Sequence, residues 1–324
     1  MTSGTAGVVL PVGLLITLHV VRGDRSGNTT EVVTQSMTLP ANGSLQFTSF
    51  PGQAGDVCVI TVDYEGITQG SAPVVLKGGE TTLALPVVLH AGSHDPAAVR
   101  ITSDQQIINF VPGGLIEILE TVEWKANGDR FYMSDQKIGD GTPISVTLPL
   151  PVGARAVAFS TQPVRRFALG GDVNAPIVQD TVPVIPGLAH EIVFSYQVPY
   201  TVGAYIDRDY AYATDQVSIL VPDDAGVVVS GNKGAKFISA ANTALDPQRP
   251  YTAYSLTQPI IATGRLVYTL SGAPRAVVDP GVGKPLPSPG LDFGGVLVLI
   301  GVLIILLVFV LAIVRQIGLR QRPR

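Results

Sequence analysis

The stretch "GLIEILETVEWKANGDRFYM" (Gly114–Met133) decides the fold class. Ile116, Ile118, Val122 and Trp124 fall on one side of a two-residue repeat, and Glu117, Thr121 and Glu123 fall on the other. Successive side chains of a strand point to opposite faces, so a strand with one buried face produces this alternation. Asn127-Gly128 follows, a pair that takes the positive φ values of a tight hairpin.

The same grammar extends in both directions. Short runs rich in Val, Ile, Thr and Tyr are separated by Gly, Pro, Asn and Asp, at the spacing of β-sandwiches. No window before Gly290 carries an apolar stripe of helical period. In a first unit, 1–95, the runs Leu14–Val21, Glu31–Thr38, Ser44–Thr48, Val57–Tyr64, Ala72–Leu76 and Thr81–Leu89 read as strands. The alternation stops at "AGSHDP" (Ala91–Pro96), which marks a boundary. A second unit, 96–272, continues with Ile144–Leu148, Ala156–Ser160, His190–Val198, Val217–Val221, Gly226–Val229 and Leu266–Leu270. The expectation is an all-β body of two tandem β-sandwich domains, Ig-like or transthyretin-like.

The C-terminus is different. "APRAVVDPGVGKPLPSPG" (Ala273–Gly290) is too rich in proline to enter a core and reads as a stiff stalk 273–290. At ~3.1 Å per residue it reaches about 50 Å. Within 291–314, the run Phe293–Val314 has neither charge nor proline. It is long enough to cross a ~30 Å hydrocarbon core as a helix, which predicts a single-pass transmembrane helix. The tail 315–324 holds Arg315, Arg320, Arg322 and Arg324 and no acid. Positive charge beside a span stays on the cytoplasmic side, so the sequence predicts a cell-membrane protein with both β-units extracytoplasmic. The first residues make a poor signal peptide, with no basic start and with Pro11 and Gly13 breaking the apolar run. A start upstream of Met1 is therefore expected; the other reading is a tail-anchored protein with its bulk in the cytosol, against which the four arginines of the tail argue.

The chain of 324 residues has 14 % charged residues, 46 % hydrophobic residues and a net charge of −4. With no basic run outside the tail, this composition argues against nucleic acid as a partner. Cys58 is the single cysteine, so no intrachain disulfide or thiol-pair motif is available.

The first unit resembles the carboxypeptidase regulatory-like, transthyretin-like β-sandwich. The likeness rests on "PVGLLITLHV" (Pro11–Val20), "TLPANGSLQFTSFP" (Thr38–Pro51), "CVITVDYEGITQGSAPVVL" (Cys58–Leu76) and "TTLALPVVL" (Thr81–Leu89). It implies that Asn42-Gly43 forms a structural turn, that Leu45 and Phe47 point inward, and that Phe50-Pro51 makes a corner. Ala41 stands where the family usually has Asp. The family module is structural rather than catalytic. The second unit, through "VTLPLPVGARAVAF" (Val146–Phe159) and "VIPGLAHEIVFSYQVPY" (Val184–Tyr200), resembles bacterial membrane-anchored β-domain proteins, a likeness of architecture alone.

Reactive chemistry is sparse in sequence. His90 and His94 are four apart, but they lie in the boundary segment without the Glu of a zinc helix. No nucleophile elbow is present, and "SGNKGAK" (Ser230–Lys236) lacks phosphate-loop spacing and reads as a hairpin loop. The acids Asp207 and Asp209, with Arg208 on the opposite side of the strand, and the turn pair Asp223 and Asp224 could form a glycosidase dyad or part of a calcium site, but no calcium loop surrounds them and turns collect Asp for backbone hydrogen bonding alone. No catalytic, metal or cofactor residues are expected.

Tyrosine is concentrated late in the chain. Tyr205, Tyr210, Tyr212, Tyr251 and Tyr254 suggest a binding face for protein or glycan, since Tyr offers a flat apolar ring with a polar tip. The expected function is a non-catalytic, membrane-anchored structural or protein-binding module at the cell surface. An accessory subunit or assembly factor of a membrane complex, such as a respiratory one, and a carbohydrate-binding surface protein are the two other readings.

Overall fold

A computed structural model describes residues 1–23, 29–48, 51–79, 82–111, 113–160, 166–242 and 250–272. These residues are all-β, broken only by short 3-10 turns at Pro96–Ala98 and Asp223–Ala225. The chain forms two compact units, one over Met1–Gly92 and one beginning at Ser93.

The first unit contains β1 (Thr2–Ser3), β2 (Leu15–Gly23), β3 (Thr29–Thr38), β4 (Val57–Tyr64), β5 (Ile67–Gly70), β6 (Val74–Val75) and β7 (Val88–Leu89). Its main sheet runs β3-β2-β4-β5, with β6 also on β4, while β1 pairs in parallel with β7. Ile16, Leu18 and Val20 of β2 lie opposite Val62, Ile60 and Cys58 of β4, so one face is an unbroken apolar row. β-branched side chains pack well on such a half-buried pleated surface. Leu39, Leu76, Val87 and Leu89 close the core over this row.

At the junction lies β8 (Gly92–Ser93). The second unit then contains β9 (Val99–Val111), β10 (Leu115–Ala126), β11 (Phe131–Tyr132), β12 (Val146–Pro149), β13 (Arg155–Phe159), β14 (Phe167–Asp172) and β15 (Ala175–Asp180). It continues through β16 (His190–Pro199), β17 (Tyr205–Tyr210), β18 (Val217–Pro222), β19 (Val228–Asn232), β20 (Phe237–Asn242), β21 (Tyr251–Leu256) and β22 (Gly264–Ser271). A seven-stranded sheet, β13-β16-β10-β9-β18-β21-β20, packs against two three-stranded sheets, β12-β15-β14 and β17-β22-β19. Ile118 on β10 is flanked by Tyr196 on β16 and Ile108 on β9, and this layer meets Ile206, Tyr210 and Tyr268 from the facing sheet.

Several expectations need correction. Asn127-Gly128 makes no hairpin. Both edges of β10 are already paired, to β9 and β16, and Asn127 instead donates its backbone N–H to Ala98 O and its side-chain amide to Ala97 O. Only Gly128 of the two takes positive φ. Ser44–Thr48 and most of Thr81–Leu89 run without ladder partners, although Leu45 and Phe47 still pack half-buried against the first core. Asn42-Gly43 closes a turn in which Gly43 N–H donates to Pro40 O and Asn42 Oδ1 accepts from Ser44 N–H. Ser230–Lys236 is no hairpin loop, because it leads from β19 in one sheet to β20 in another. Phe50, the stalk 273–290, the span 291–314 and the tail 315–324 lie outside the described residues. Among the described residues no helix is long and apolar enough to cross a membrane.

Candidate functional site

The most unusual feature of the second unit is charge inside its core. In the inward row of β10, Glu120 stands between Ile118 and Val122, and the backbone alternation forces it to point inward with them. Arg208 occupies the matching place on β17, between Ile206 and Tyr210. Asp104 and Gln106 point inward from β9. All four are sealed from solvent, together with Tyr196, Tyr210 and Tyr268.

Their geometry is mutually supporting. Arg208 Nη1 donates to Glu120 Oε1 at 2.5 Å and lies 3.5 Å from Asp104 Oδ2, while Arg208 Nε donates to Pro149 O at 3.0 Å. Tyr210 Oη donates to Asp104 Oδ2 at 2.5 Å, and Tyr268 Oη donates to Gln106 Oε1 at 2.8 Å. The guanidinium also stacks 5.0 Å from the centre of the Tyr210 ring, a favourable cation–π contact. Glu120 Oε2, Arg208 Nη2 and Tyr196 Oη have no hydrogen-bond partner among the described residues.

One arginine cannot balance two buried carboxylates. Burial pushes the Glu120 carboxyl up; Arg208 pulls it back and Asp104 pushes it further, leaving it at about 8. Near neutral pH Glu120 is thus protonated and lends the cluster a neutral hydrogen-bonding group instead of a second buried anion.

Two further polar groups resemble chemistry more closely than the sequence suggested. In the first unit, His19 Nδ1 lies 2.5 Å from Glu31 Oε1 and His19 Nε2 lies 2.8 Å from Thr61 Oγ1. A carboxylate, an imidazole and a hydroxyl are therefore in line, the order of a nucleophile relay. Thr61 sits in mid-strand, however, with Thr17 and Gly70 on its two sides, and both His19 and Thr61 are buried. A hydroxyl buried in mid-strand is not open to a substrate.

In the second unit, Arg166 holds the buried Asp180 through Nε and Nη2, the latter at 2.7 Å. His190 Nε2 lies 3.0 Å from Asp180 Oδ2, close enough for an ion pair but misaligned for a hydrogen bond. Burial alone would raise the Asp180 carboxyl, but Arg166 and His190 outweigh it and hold it below the usual range.

Comparison with known proteins adds little. No protein-family model matches the chain, and no curated protein matches it. Among solved structures, an M1 zinc metallopeptidase from Deinococcus radiodurans is 10 % identical over 53 % of this chain and 42 % of that one, with a TM-score of 0.30. A putative protease from Parabacteroides distasonis is 10 % identical over 54 % of this chain and 40 % of that one, with a TM-score of 0.27. The chain spans less than half the length of either protein. Likenesses this slight carry no argument about fold or activity.

The residues singled out in sequence are not brought together. Tyr210, Tyr212, Tyr251 and Tyr254 are buried, and only Tyr205 of the five is exposed. Four of the five are therefore core side chains. Tyr212 Oη accepts from Thr147 N–H, and its ring meets Tyr132 edge-on. Asp207 is forked by Arg265, with Asp209 3.7 Å from the same side chain. Asp223 accepts from Thr252 Oγ1 at 2.6 Å. His94 Nδ1 donates to Met133 O at 2.7 Å. Among the described residues no three His, Cys, Asp or Glu side chains are grouped to hold a metal.

Sequence reasoning missed Glu120 and Asp104, and it placed Arg208 on the face opposite Asp207 and Asp209 without seeing its partners. A signal was available: Glu120 interrupts an apolar row at a position whose parity is inward. The separation of 88 residues between Glu120 and Arg208 left no local sign of the pairing.

Proposed function

We propose that this protein is a non-catalytic, membrane-anchored structural or protein-binding module, held outside the cytoplasm by its apolar segment 291–314. The observation that supports this most is where its ionisable groups are. Asp104, Glu120, Arg208, Asp180, His19 and His190 are buried and engaged with other side chains or with backbone. Groups placed this way fix a sandwich core; a reaction needs them open to a substrate. On this reading the first unit is a transthyretin-like module and the second a larger sandwich, raised on the stalk 273–290 with the basic tail inside. Burial of four of the five candidate tyrosines takes away the main support for a sugar-stacking face.

Alkaline carbonate extraction of the full chain, with protease treatment of sealed right-side-out cells, tests the reading. The chain should stay with the membrane fraction, and the β-units should be cleaved while the arginine tail is protected. Release of the full chain by carbonate, or a protected N-terminal body, overturns it.

A further inference from the structure

In the first unit, β1 lies between two segments that form no ladder of their own. Thr2 N–H donates to Val87 O at 3.1 Å, and the Met1 amino group donates to Gly43 O at 3.0 Å. One neighbouring segment leads on from Gly43; the other leads up to Val87. Thr2 stands opposite Val88 in parallel register, so the line of β1 carried backward past Met1 runs alongside Pro86 and the residues before it. A cleft of about 530 Å³ opens there, lined by Met1 and by both segments. Ligand sites span roughly 300–1,000 Å³, so the cleft is large enough for an occupant other than solvent.

Both sides of the cleft are patterned like strands. On one, Leu45 and Phe47 face inward and Ser44, Gln46 and Thr48 outward. On the other, Leu83 and Leu85 face inward and Thr82, Ala84 and Pro86 outward. This two-residue alternation is that of a half-buried strand, yet neither segment enters a sheet. Among the described residues, the backbone groups of 45–48 and 82–86 have no backbone partner. The floor is apolar, made by Ile16 and Leu18 of β2 and Ile60 of β4. Among the described residues no charged side chain lines the cleft.

We infer that this cleft is a docking slot for an extended segment of a partner polypeptide, uncharged and apolar at every second residue, added in line with β1. This rests on the protein-binding reading above and gives it a partner chemistry. An extended chain presents N–H and C=O groups along both of its edges, and the two walls offer the complementary groups at the same spacing. Every second side chain of such a segment reaches the floor, where Ile16, Leu18 and Ile60 favour an apolar group. A charge on that side would be stranded among neutral walls.

The test uses the full chain in detergent micelles and a blocked, dye-labelled peptide alternating valine and threonine. Its anisotropy should rise saturably, and hydrogen exchange at 45–48 and 82–85 should slow when it binds. The same peptide with proline for its central valine loses a ladder donor and should bind on the order of ten-fold more weakly. L83D, which sets a carboxylate inside the slot, should weaken binding as much; A84K, on the outward side of the same wall, should leave it unchanged. Cys58, sealed in the first core, reports whether each variant keeps the unit folded, and where L83D exposes it the proline peptide decides. No saturable binding, binding without slowed exchange at both walls, or equal binding of the proline peptide overturns the slot. Exchange already slow at both walls of the purified chain before peptide is added also overturns it, because the chain then closes the slot by itself. A chain that withstands carbonate extraction but binds no peptide loses the slot and keeps the anchored reading. Release by carbonate removes the anchor, and peptide binding still decides the slot.

Discussion

Arg208 Nη1 and Glu120 Oε1 meet at 2.5 Å in the interior of the second unit, from strands in opposing sheets. The pair ties β17 to β10, and Asp104 with Tyr210 extends the tie to β9. An apolar core would fill the same space without desolvating charge. Here the polar contacts also specify which strands face one another, because any slipped register would leave an ion unpaired.

The first prediction concerns pH. Folding raises Glu120 from 4.5 to about 8, so the folded state holds a proton that the unfolded state releases in between. Its contribution is complete below the lower value and is lost as pH rises through the higher one. Urea midpoints of the second unit should therefore fall between about pH 5 and about pH 9. The E120Q variant, neutral throughout, should flatten that decline. An unchanged slope in E120Q would remove Glu120 as its source.

Removing the arginine is the harsher change. In R208A, Asp104 remains buried without a cation, and Pro149 O loses its donor. Breaking a buried pair from one side costs about 3–5 kcal/mol. R265A, which removes an exposed partner of Asp207, should change stability little. Equal losses in the two variants, measured by denaturant melts, would mean the buried cluster contributes no more than a surface pair.

Much of this sheet architecture was legible. The strand inside Gly114–Met133 was read from the parity of Ile116, Ile118, Val122 and Trp124, and Val57–Tyr64 coincides with β4. Parity also carried more than was taken from it, since Glu120 and Arg208 both stand at inward positions of otherwise apolar rows. What parity could not supply was which rows meet, because the partners lie 88 and 104 residues apart. The tyrosines misled for a related reason. Their high strand propensity is the same inside and outside a sandwich, and a buried hydroxyl finds partners such as Asp104 that only the fold reveals. At Ser44–Thr48 the alternation was real, yet neither side of the segment is paired in a ladder.

Acid should expose the opposite linkage. Asp180 is held below the usual carboxylate range, burial being outweighed by Arg166 and His190. Such a group stabilises the fold above its unfolded value of 3.8 and ceases to as pH falls through its folded one. D180N should destabilise the second unit at neutral pH and lose less than the parent protein on acidification. Thermal melts from neutral to strongly acid conditions decide this. Parallel curves for the two proteins would exclude Asp180 as an acid-labile tie.

The chain also carries one natural reporter per unit, its single Cys58 in the first core and its single Trp124 in the second. Cys58 is fully buried, so a thiol reagent reaches it only when the first unit opens. Gly70 of β5 leaves no room for a side chain, because a Cβ there would sit 2.4 Å from Ile60 O, a backbone atom held in the sheet. G70A should therefore cost about 1–3 kcal/mol and speed Cys58 labelling while the Trp124 fluorescence transition stays in place. R208A should do the reverse, moving the Trp124 transition and leaving the labelling rate alone. A shift of both reporters by either substitution would show that the two cores, distinct in their residues, unfold as one.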